Sequence, residues 1–155
     1  MQLFIMRHGE AEHNMFQDAA RKLTLVGQDE SRKAGEWLRS RVPELDLVLV
    51  SPYVRAKQTL SAVTQGVTVG ETVETSEITP GGEVVNFHQY LDALCAARIN
   101  LNSVLLVSHM PFVSALVDEL CGHFYSLLFA TASVVQLDYD PTTGRASLTR
   151  QFTPD

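Results

Sequence analysis

Two arginines and two histidines stand at the ends of apolar runs in this chain. Arg7 and His8 end the first run, Arg55 follows the second run, and His109 ends the third. If the runs are neighbouring strands, the four side chains meet at one edge of a sheet. Like-charged groups repel one another, so a fold gathers them at a cost unless an anion joins them. The pattern therefore predicts an anion site.

A phosphoryl group is the anion that suits this set of side chains. Two guanidinium groups neutralise its charge and pair with its equatorial oxygens. One neutral imidazole can attack phosphorus, while the other donates a hydrogen bond to an oxygen on which charge develops. The arginines supply the positive charge that Mg²⁺ supplies in kinases, so we expect neither a metal nor another cofactor.

Two further residues, Gly9 and Ser51, are expected to bind the substrate, and the ends of two helices are expected to support this site. Gly9 would let the backbone turn sharply behind His8. Ser51, followed by proline, has the residue types of a helix N-cap and first helical position. Helix N-termini after Ser51 and at Pro111 would add their amide dipoles to the anion site.

The elements that position these residues follow from hydrophobic patterning. Short, continuous apolar runs at residues 3–6, 47–50 and 104–107 are typical of parallel strands that are buried on both faces. Two alternating stretches at the end of the chain, residues 134–139 and 146–152, flank a turn and predict a β-hairpin.

Four amphipathic stretches separate the strands and predict helices. They run from a Thr24 cap to about Arg41, from Ser51 to about Gln65, over residues 84–95, and from Pro111 to just before Gly122. Alternation of strands and helices predicts an α/β fold, a three-layer sandwich with a mostly parallel central sheet, helices on both faces and an antiparallel edge. The length of 155 residues favours one domain, 1–155.

Composition excludes several classes of protein. With 12 basic and 18 acidic residues, the net charge is -6, which argues against a nonspecific binder of nucleic acid or of anionic membranes. No apolar run reaches the ~20 residues of a membrane helix, and the start has no signal-peptide pattern. Cys95 and Cys121 suit reduced thiols, so we expect a cytoplasmic protein.

Three motifs resemble those of a known superfamily. Residues 7–11, RHGEA, resemble the Arg-His-Gly signature of the histidine phosphatase superfamily, which includes the cofactor-dependent phosphoglycerate mutases. Residues 51–59, SPYVRAKQT, resemble its Ser-x-x-x-Arg-Ala-x-Gln-Thr motif, and residues 107–111, VSHMP, resemble its third motif. Nearly the whole chain is similar to the short, SixA-type phosphohistidine phosphatases. The resemblance implies a phosphoglycerate mutase-like fold.

The resemblance also implies roles for the residues and a substrate. His8 is the phosphorylated nucleophile, and Arg7, Arg55 and His109 bind the phosphoryl group. The substrate is a histidine-containing phosphotransfer domain of a signalling relay, or a related phosphohistidine protein. Arg21 lies in a long loop from which it could reach the phosphate, and a solvated surface arginine is the alternative.

The general acid is left open between two carboxylates. Ester hydrolysis needs an acid for the leaving alkoxide, whereas the P–N bond of a phosphohistidine is labile. The candidates are Glu77, which follows a short predicted strand near Val73, and Asp18. We favour Glu77, because larger members of the superfamily supply an acid from about this region.

Three other functions are compatible with parts of the pattern. A metal hydrolase could use His8, Glu10, Glu12 and His13, although their spacing fits no firm zinc signature. A module that only binds phosphorylated ligands would not need His8. A small-molecule phosphatase or mutase would keep the fold, but the short chain lacks the segments that roof an active site against water.

Overall fold

The structure is a computed structural model that describes residues 1–13 and 16–155. Its described part contains six strands and four α-helices. The strands are β1 (Gln2–Arg7), β2 (Glu44–Val50), β3 (Thr68–Glu74), β4 (Ser103–Ser108), β5 (Val134–Asp140) and β6 (Arg145–Phe152). The helices are α1 (Leu25–Arg41), α2 (Val54–Val63), α3 (Val84–Ala97) and α4 (Phe112–Cys121). Single 3₁₀ turns cover Asp18–Ala20 and Ser76–Ile78.

All six strands form one sheet in the order β3-β2-β4-β1-β5-β6. Strands β1 to β4 pair in parallel, and β5 and β6 pair antiparallel at one edge. This confirms the predicted α/β class, with its parallel centre and antiparallel hairpin. The two central strands, β4 and β1, are the ones that lead into the two site histidines.

Burial on both faces of the sheet explains its three layers. Along β1, Leu3 and Ile5 join the apolar cluster that contains α3 and α4, whereas Phe4 and Met6 join the cluster that contains α1 and α2. All four side chains are fully buried. Successive side chains on a strand point to opposite faces, so a continuous apolar run is what a covered central strand requires.

Several helix ends differ from the prediction. The Thr24 hydroxyl caps α1 as expected, by accepting the Gly27 N–H at 3.0 Å. However, α2 begins at Val54 and ends at Val63, so the prediction that Ser51 caps this helix is wrong. The Ser51 hydroxyl bonds instead to His109, at 2.7 Å.

Strand β3 gave a weak signal in the sequence. Only a short strand near Val73 is predicted, but β3 spans seven residues along the exposed edge of the sheet, where polar side chains hide the apolar pattern. Helix α4 begins at Phe112, with Pro111 at its N-cap, and ends before Gly122, whose backbone is left-handed at φ 62°.

Both cysteines are free thiols. No helix in the described part of the chain is long and apolar enough to cross a bilayer.

Candidate active site

The parallel pairing of β1 and β4 brings the two histidines together. Arg7 pairs with Ser108 at the ends of these strands, and the His8 N–H donates to the Ser108 carbonyl at 3.0 Å. The ring centroids of His8 and His109 are 5.1 Å apart. Both imidazoles are buried, with 6% and 1% of their surface exposed.

Hydrogen bonds define the protonation of His8. Its Nδ1 lies 2.7 Å from the Gly9 carbonyl oxygen, which only accepts, so Nδ1 carries the proton. Its Nε2 lies 3.2 Å from Arg55 Nε, which only donates, so Nε2 presents a lone pair. His8 is therefore held as the tautomer in which Nε2 is the free nucleophile.

The electrostatic surroundings keep this imidazole neutral. Burial lowers the pKa of His8 to about 4, and the positive charges of Arg55 and Arg7 contribute to the same shift. At neutral pH the ring is unprotonated at Nε2. A nucleophile needs that lone pair, and burial is the main reason that it stays unprotonated.

His109 can adopt the same Nδ1–H tautomer as His8. The Ser51 hydroxyl accepts the Tyr53 N–H at 3.3 Å and lies 2.7 Å from His109 Nε2, to which it can donate its own proton. The ring proton then resides on Nδ1, which is buried and has no partner among residues 1–13 and 16–155. Burial, with a contribution from His8, lowers the pKa of His109 to about 3. His109 thus offers a neutral N–H donor.

The two arginines flank the histidines in different ways. Arg55 is buried and lies 4.9 Å over the Tyr53 ring, in a cation–π contact. Arg7 donates from Nη1 to the Phe129 carbonyl at 2.8 Å. Its Nε is buried and has no partner among the described residues, which is also true of His109 Nδ1. An oxyanion beside His8 would satisfy these two donors.

The 3₁₀ turn at Asp18–Ala20 carries a carboxylate into the site. Asp18 Oδ2 lies 3.1 Å from Arg55 Nη2, and its Oδ1 lies 3.1 Å from Arg21 Nη1. Burial opposes ionisation, but these hydrogen bonds lower the pKa of Asp18 below its usual value. Asp18 is therefore ionised at neutral pH and carries no proton for a leaving group, which disfavours it as a general acid.

Glu77 and Arg21 occupy different positions relative to the four central residues. Glu77 is half-buried on the Ser76–Ile78 turn. In the described part of the chain its carboxylate makes no hydrogen bond or ion pair with them, and its acid role stays a prediction. Arg21 donates from Nε to the Glu12 carbonyl at 2.7 Å and pairs with Asp18. It borders the site through Asp18 and is not a free surface arginine.

Gly9 and Ser51 have positioning contacts. The Gly9 N–H donates to Thr59 Oγ1 at 3.0 Å. A Cβ on Gly9 would lie 2.5 Å from the Gly27 carbonyl oxygen and 2.7 Å from Ser31 Oγ, so the close approach to α1 requires glycine. The Gly9 N–H and the Ser51 hydroxyl are engaged within the protein, and substrate binding by these two residues stays a prediction.

Three residues of the second motif have roles that the sequence analysis did not assign. Gln58 Oε1 accepts the Leu23 N–H at 2.7 Å and so anchors the loop that carries Asp18. Thr59 donates to the Arg55 carbonyl at 2.7 Å while it accepts from Gly9. The Tyr53 ring contacts both His109 and Arg55. The motif contained these residues, but Leu23, Gly9 and His109 are too distant along the chain for a local pattern to indicate these contacts.

Neither the groove between α1 and α2 nor the residues of the metal hypothesis provide a second candidate active site. A polar groove of about 480 Å³ lies between α1 and α2, lined in part by Gln28, Arg32 and Gln65, and contains none of the four central residues. Throughout the described ranges, no three His, Cys, Asp or Glu side chains are grouped as metal ligands would be. The metal hypothesis for residues 8–13 thus gains no support from geometry.

Comparisons with known proteins agree with this geometry. A family profile described as "Histidine phosphatase superfamily (branch 1)" matches residues 3–82. Phosphohistidine phosphatase SixA of Escherichia coli (strain K12) is 39% identical over 155 residues, which cover 99% of this chain and 94% of that protein. A SixA homolog from Haemophilus influenzae is also 39% identical, over 90% of this chain and 89% of its own length.

A solved structure shows the same fold. The protein histidine phosphatase SixA complexed with tungstate superposes with a TM-score of 0.92 at 38% identity, over 99% of this chain and 97% of that one. The predicted phosphoglycerate mutase-like fold is confirmed by this match. From its motifs, its fold and its full-length relatives, the chain belongs to the histidine phosphatase superfamily.

Proposed function

We propose that this protein is a phosphohistidine phosphatase that works through a phosphohistidine intermediate on His8. The observation that carries the proposal is the pair of buried, neutral imidazoles between two arginines. His8 presents a lone pair at Nε2, and His109 holds an N–H at Nδ1 with no partner in the described structure. A nucleophile and an oxyanion donor are the two groups that phosphoryl transfer through a covalent intermediate needs.

In the first step the phosphoryl group moves from the substrate histidine to His8. The Nε2 lone pair forms the new N–P bond as the P–N bond of the substrate breaks, and that electron pair stays on the substrate ring. The substrate ring has taken up one proton at its other nitrogen, so it leaves as a neutral imidazole. The Gly9 carbonyl holds the Nδ1 proton, so the phosphorylated His8 ring bears a positive charge.

In the second step water releases phosphate. A water oxygen bonds to phosphorus while the P–Nε2 bond breaks, and the electron pair returns to His8 Nε2. The positive ring is a good leaving group, because it becomes the neutral imidazole that its surroundings favour. The proton of the water goes to phosphate or to solvent.

Transition-state charge falls on the equatorial oxygens of the phosphoryl group. Arg7 Nε and His109 Nδ1 are the buried donors that would meet them. Preorganised donors of this kind contribute roughly 3 kcal/mol each to transition-state stabilisation. Because they are directed by the fold before the reaction begins, no metal ion is needed to supply that stabilisation.

The chemistry of the leaving group favours phosphohistidine over phosphate esters. An alkoxide needs a general acid. Hydrogen bonds from Arg21 and Arg55 lower the pKa of Asp18, which disfavours it as that acid, and the Glu77 carboxylate makes no hydrogen bond with the four central residues in the described part of the chain. An imidazole leaves with only a proton that it has already taken up. The SixA relatives carry the name phosphohistidine phosphatase, and we propose that the donor here is a histidine-containing phosphotransfer domain or a related phosphohistidine protein.

A rapid-quench experiment tests the proposal. The protein is mixed, with EDTA present, with a ³²P-labelled histidine-phosphotransfer domain or with p-nitrophenyl phosphate, and quenched in base. Peptide mapping then locates the label. His8→Asn is the test variant. His13→Asn, which alters an exposed histidine five residues further along the chain, is the matched control.

The proposal expects transient label on His8 from the protein donor, with little cleavage of the ester. His13→Asn should behave as the wild type, and His8→Asn should lose both label and turnover. Turnover that survives in His8→Asn would remove the nucleophile assignment. Fast ester cleavage without transfer from the protein donor would place the protein in the small-molecule branch. Binding of the protein donor with neither label on His8 nor release of phosphate would make it a binding module.

A further inference from the structure

All three nitrogens of the Arg55 guanidinium already have partners within the protein. Nε donates to His8 Nε2 at 3.2 Å, Nη1 donates to the Asp18 carbonyl at 2.6 Å, and Nη2 donates to Asp18 Oδ2 at 3.1 Å. Two of the three acceptors belong to Asp18. One of these is a full negative charge, directed at the cation that a phosphoryl group would use.

The position of Asp18 on the guanidinium identifies what it competes with. The Nε–H and one N–H of Nη2 point in parallel from one edge of the guanidinium, and this edge binds carboxylates and phosphates in pairs of hydrogen bonds. The two nitrogens of this edge, Nε and Nη2, have His8 and Asp18 as their partners. For His8 to attack, its Nε2 must give up Arg55, and a phosphoryl group clamped by the same edge must replace Asp18 Oδ2.

We propose that the Asp18 carboxylate alternates with the phosphoryl group on Arg55: it yields when substrate binds and returns to displace product phosphate. This inference rests on the proposed function, because it takes the pocket between the histidines as the phosphoryl site. Asp18 is a positioning residue here. It acts on the reaction through Arg55 and does not itself contact the reacting atoms.

The surroundings of Asp18 allow it to alternate. Its side chain is 57% exposed, whereas that of Arg55 is only 4% exposed, so the carboxylate is the partner with room to move. Arg21 binds the other carboxylate oxygen, Oδ1, at 3.1 Å and is itself fixed to the Glu12 carbonyl. A rotation that releases Arg55 can therefore keep the contact with Arg21, which tethers the carboxylate beside the site.

The negative charge of Asp18 favours the release of phosphate from the site. Arg7, Arg55 and Arg21 supply three positive charges and Asp18 one negative charge, while both histidines are neutral. A phosphate dianion that enters beside Asp18 meets a like charge, which raises its dissociation constant and speeds its release. Without the Asp18 carboxylate, the three cations would be opposed only by Glu30, which acts on Arg7, and phosphate would stay bound longer.

Calorimetric titration with inorganic phosphate tests this inference without the need for turnover. The variant is Asp18→Asn, which keeps the shape of the side chain and removes its charge. The control is Asp29→Asn, which removes a carboxylate that pairs with Arg32 and Lys33 on the surface of α1. Thermal unfolding of each variant checks that the fold is intact.

We expect Asp18→Asn to bind phosphate at least tenfold more tightly than the wild type, and Asp29→Asn to be unchanged. In turnover, Asp18→Asn should show a lower KM, stronger inhibition by product and slower release of phosphate after the first turnover. Unchanged or weaker phosphate binding by a folded Asp18→Asn would overturn the inference and would make Asp18 a fixed support of Arg55. Wild-type protein that binds no phosphate would overturn the proposed phosphoryl site itself.

A second measurement needs no active variant. In wild-type protein labelled with ¹³C at aspartate carboxyl groups, phosphate should shift the Asp18 signal at the same concentrations that shift the Arg55 side-chain ¹⁵N signals. The Asp18→Asn spectrum serves only to assign the resonance. An Asp18 signal that stays in place while Arg55 responds would show that no exchange occurs.

Discussion

The two buried histidines make the stability of this protein depend on pH. The pKa values of His8 and His109 are lowered from 6.5 to about 4 and about 3. As the pH falls below 6.5, these two imidazoles therefore bind protons in the unfolded chain but not in the folded chain. The contribution of each histidine to stability is complete above that pH and is lost progressively as the pH falls towards the folded-state pKa.

The size of the loss follows from these pKa values. Between about pH 8 and pH 5 an unfolded imidazole becomes almost fully protonated, while each buried imidazole stays almost fully neutral. Each histidine then removes about 2 kcal/mol from the free energy of unfolding over this interval, and the pair removes about 4 kcal/mol. That is a large part of the stability of a domain, which is typically ~5–15 kcal/mol.

Urea unfolding in phosphate-free buffer at several pH values measures this loss. His8→Asn and His109→Asn each remove one imidazole that titrates only in the unfolded chain. Each variant should lose about 2 kcal/mol less than the wild type between pH 8 and pH 5. His13→Asn removes an exposed histidine and should keep the slope of the wild type.

The test compares how much the free energy of unfolding changes between pH 8 and pH 5, and not its absolute value, because an asparagine also changes the packing of the site. If His8→Asn and His109→Asn lose as much unfolding free energy as the wild type over this pH range, the imidazoles are not held neutral by burial. The argument for a neutral nucleophile beside two arginines would then fail as well.

Three further predictions concern single side chains. Ser51→Ala removes the hydroxyl that sets the tautomer of His109 and should lower kcat by about 10- to 100-fold, as the loss of one buried hydrogen bond implies. The circular dichroism spectrum should stay unchanged. A kcat equal to that of the wild type would contradict the tautomer assignment. Gly9→Ala forces a Cβ against the Gly27 carbonyl oxygen and should cost about 1–3 kcal/mol of stability in urea unfolding. Glu77→Gln should slow ester cleavage at least tenfold while it leaves transfer from a phosphohistidine donor unchanged; equal losses on both substrates would remove its role as an acid.

Much of the fold could be predicted from the sequence because burial leaves a local signature. The strands that carry the site are covered on both faces, so β1 and β4 appear as uninterrupted apolar runs. Their ends mark where His8 and His109 emerge. Strand β3 lies on the exposed edge, where neither face imposes an apolar pattern, and only its neighbourhood was predicted.

The contacts that tune the site could not be predicted in the same way. Local preference gives a Ser-Pro pair to a helix start, but a histidine 58 residues away takes the Ser51 hydroxyl. Asp18 lies 37 residues from Arg55, in a loop without hydrophobic periodicity. Such partners are set by tertiary structure, and a pattern of a few residues contains no information about them.

The position of β1 in the sheet has a consequence for the synthesis of the protein. β1 is made first, but its two neighbours are β4 and β5, which end at Ser108 and Asp140. A nascent chain that stops short of β5 leaves one edge of β1 unpaired. The surroundings that make His8 a nucleophile therefore assemble only after β4 and β5 have left the ribosome. His8 is translated about 100 residues before His109, the histidine that it needs as its partner.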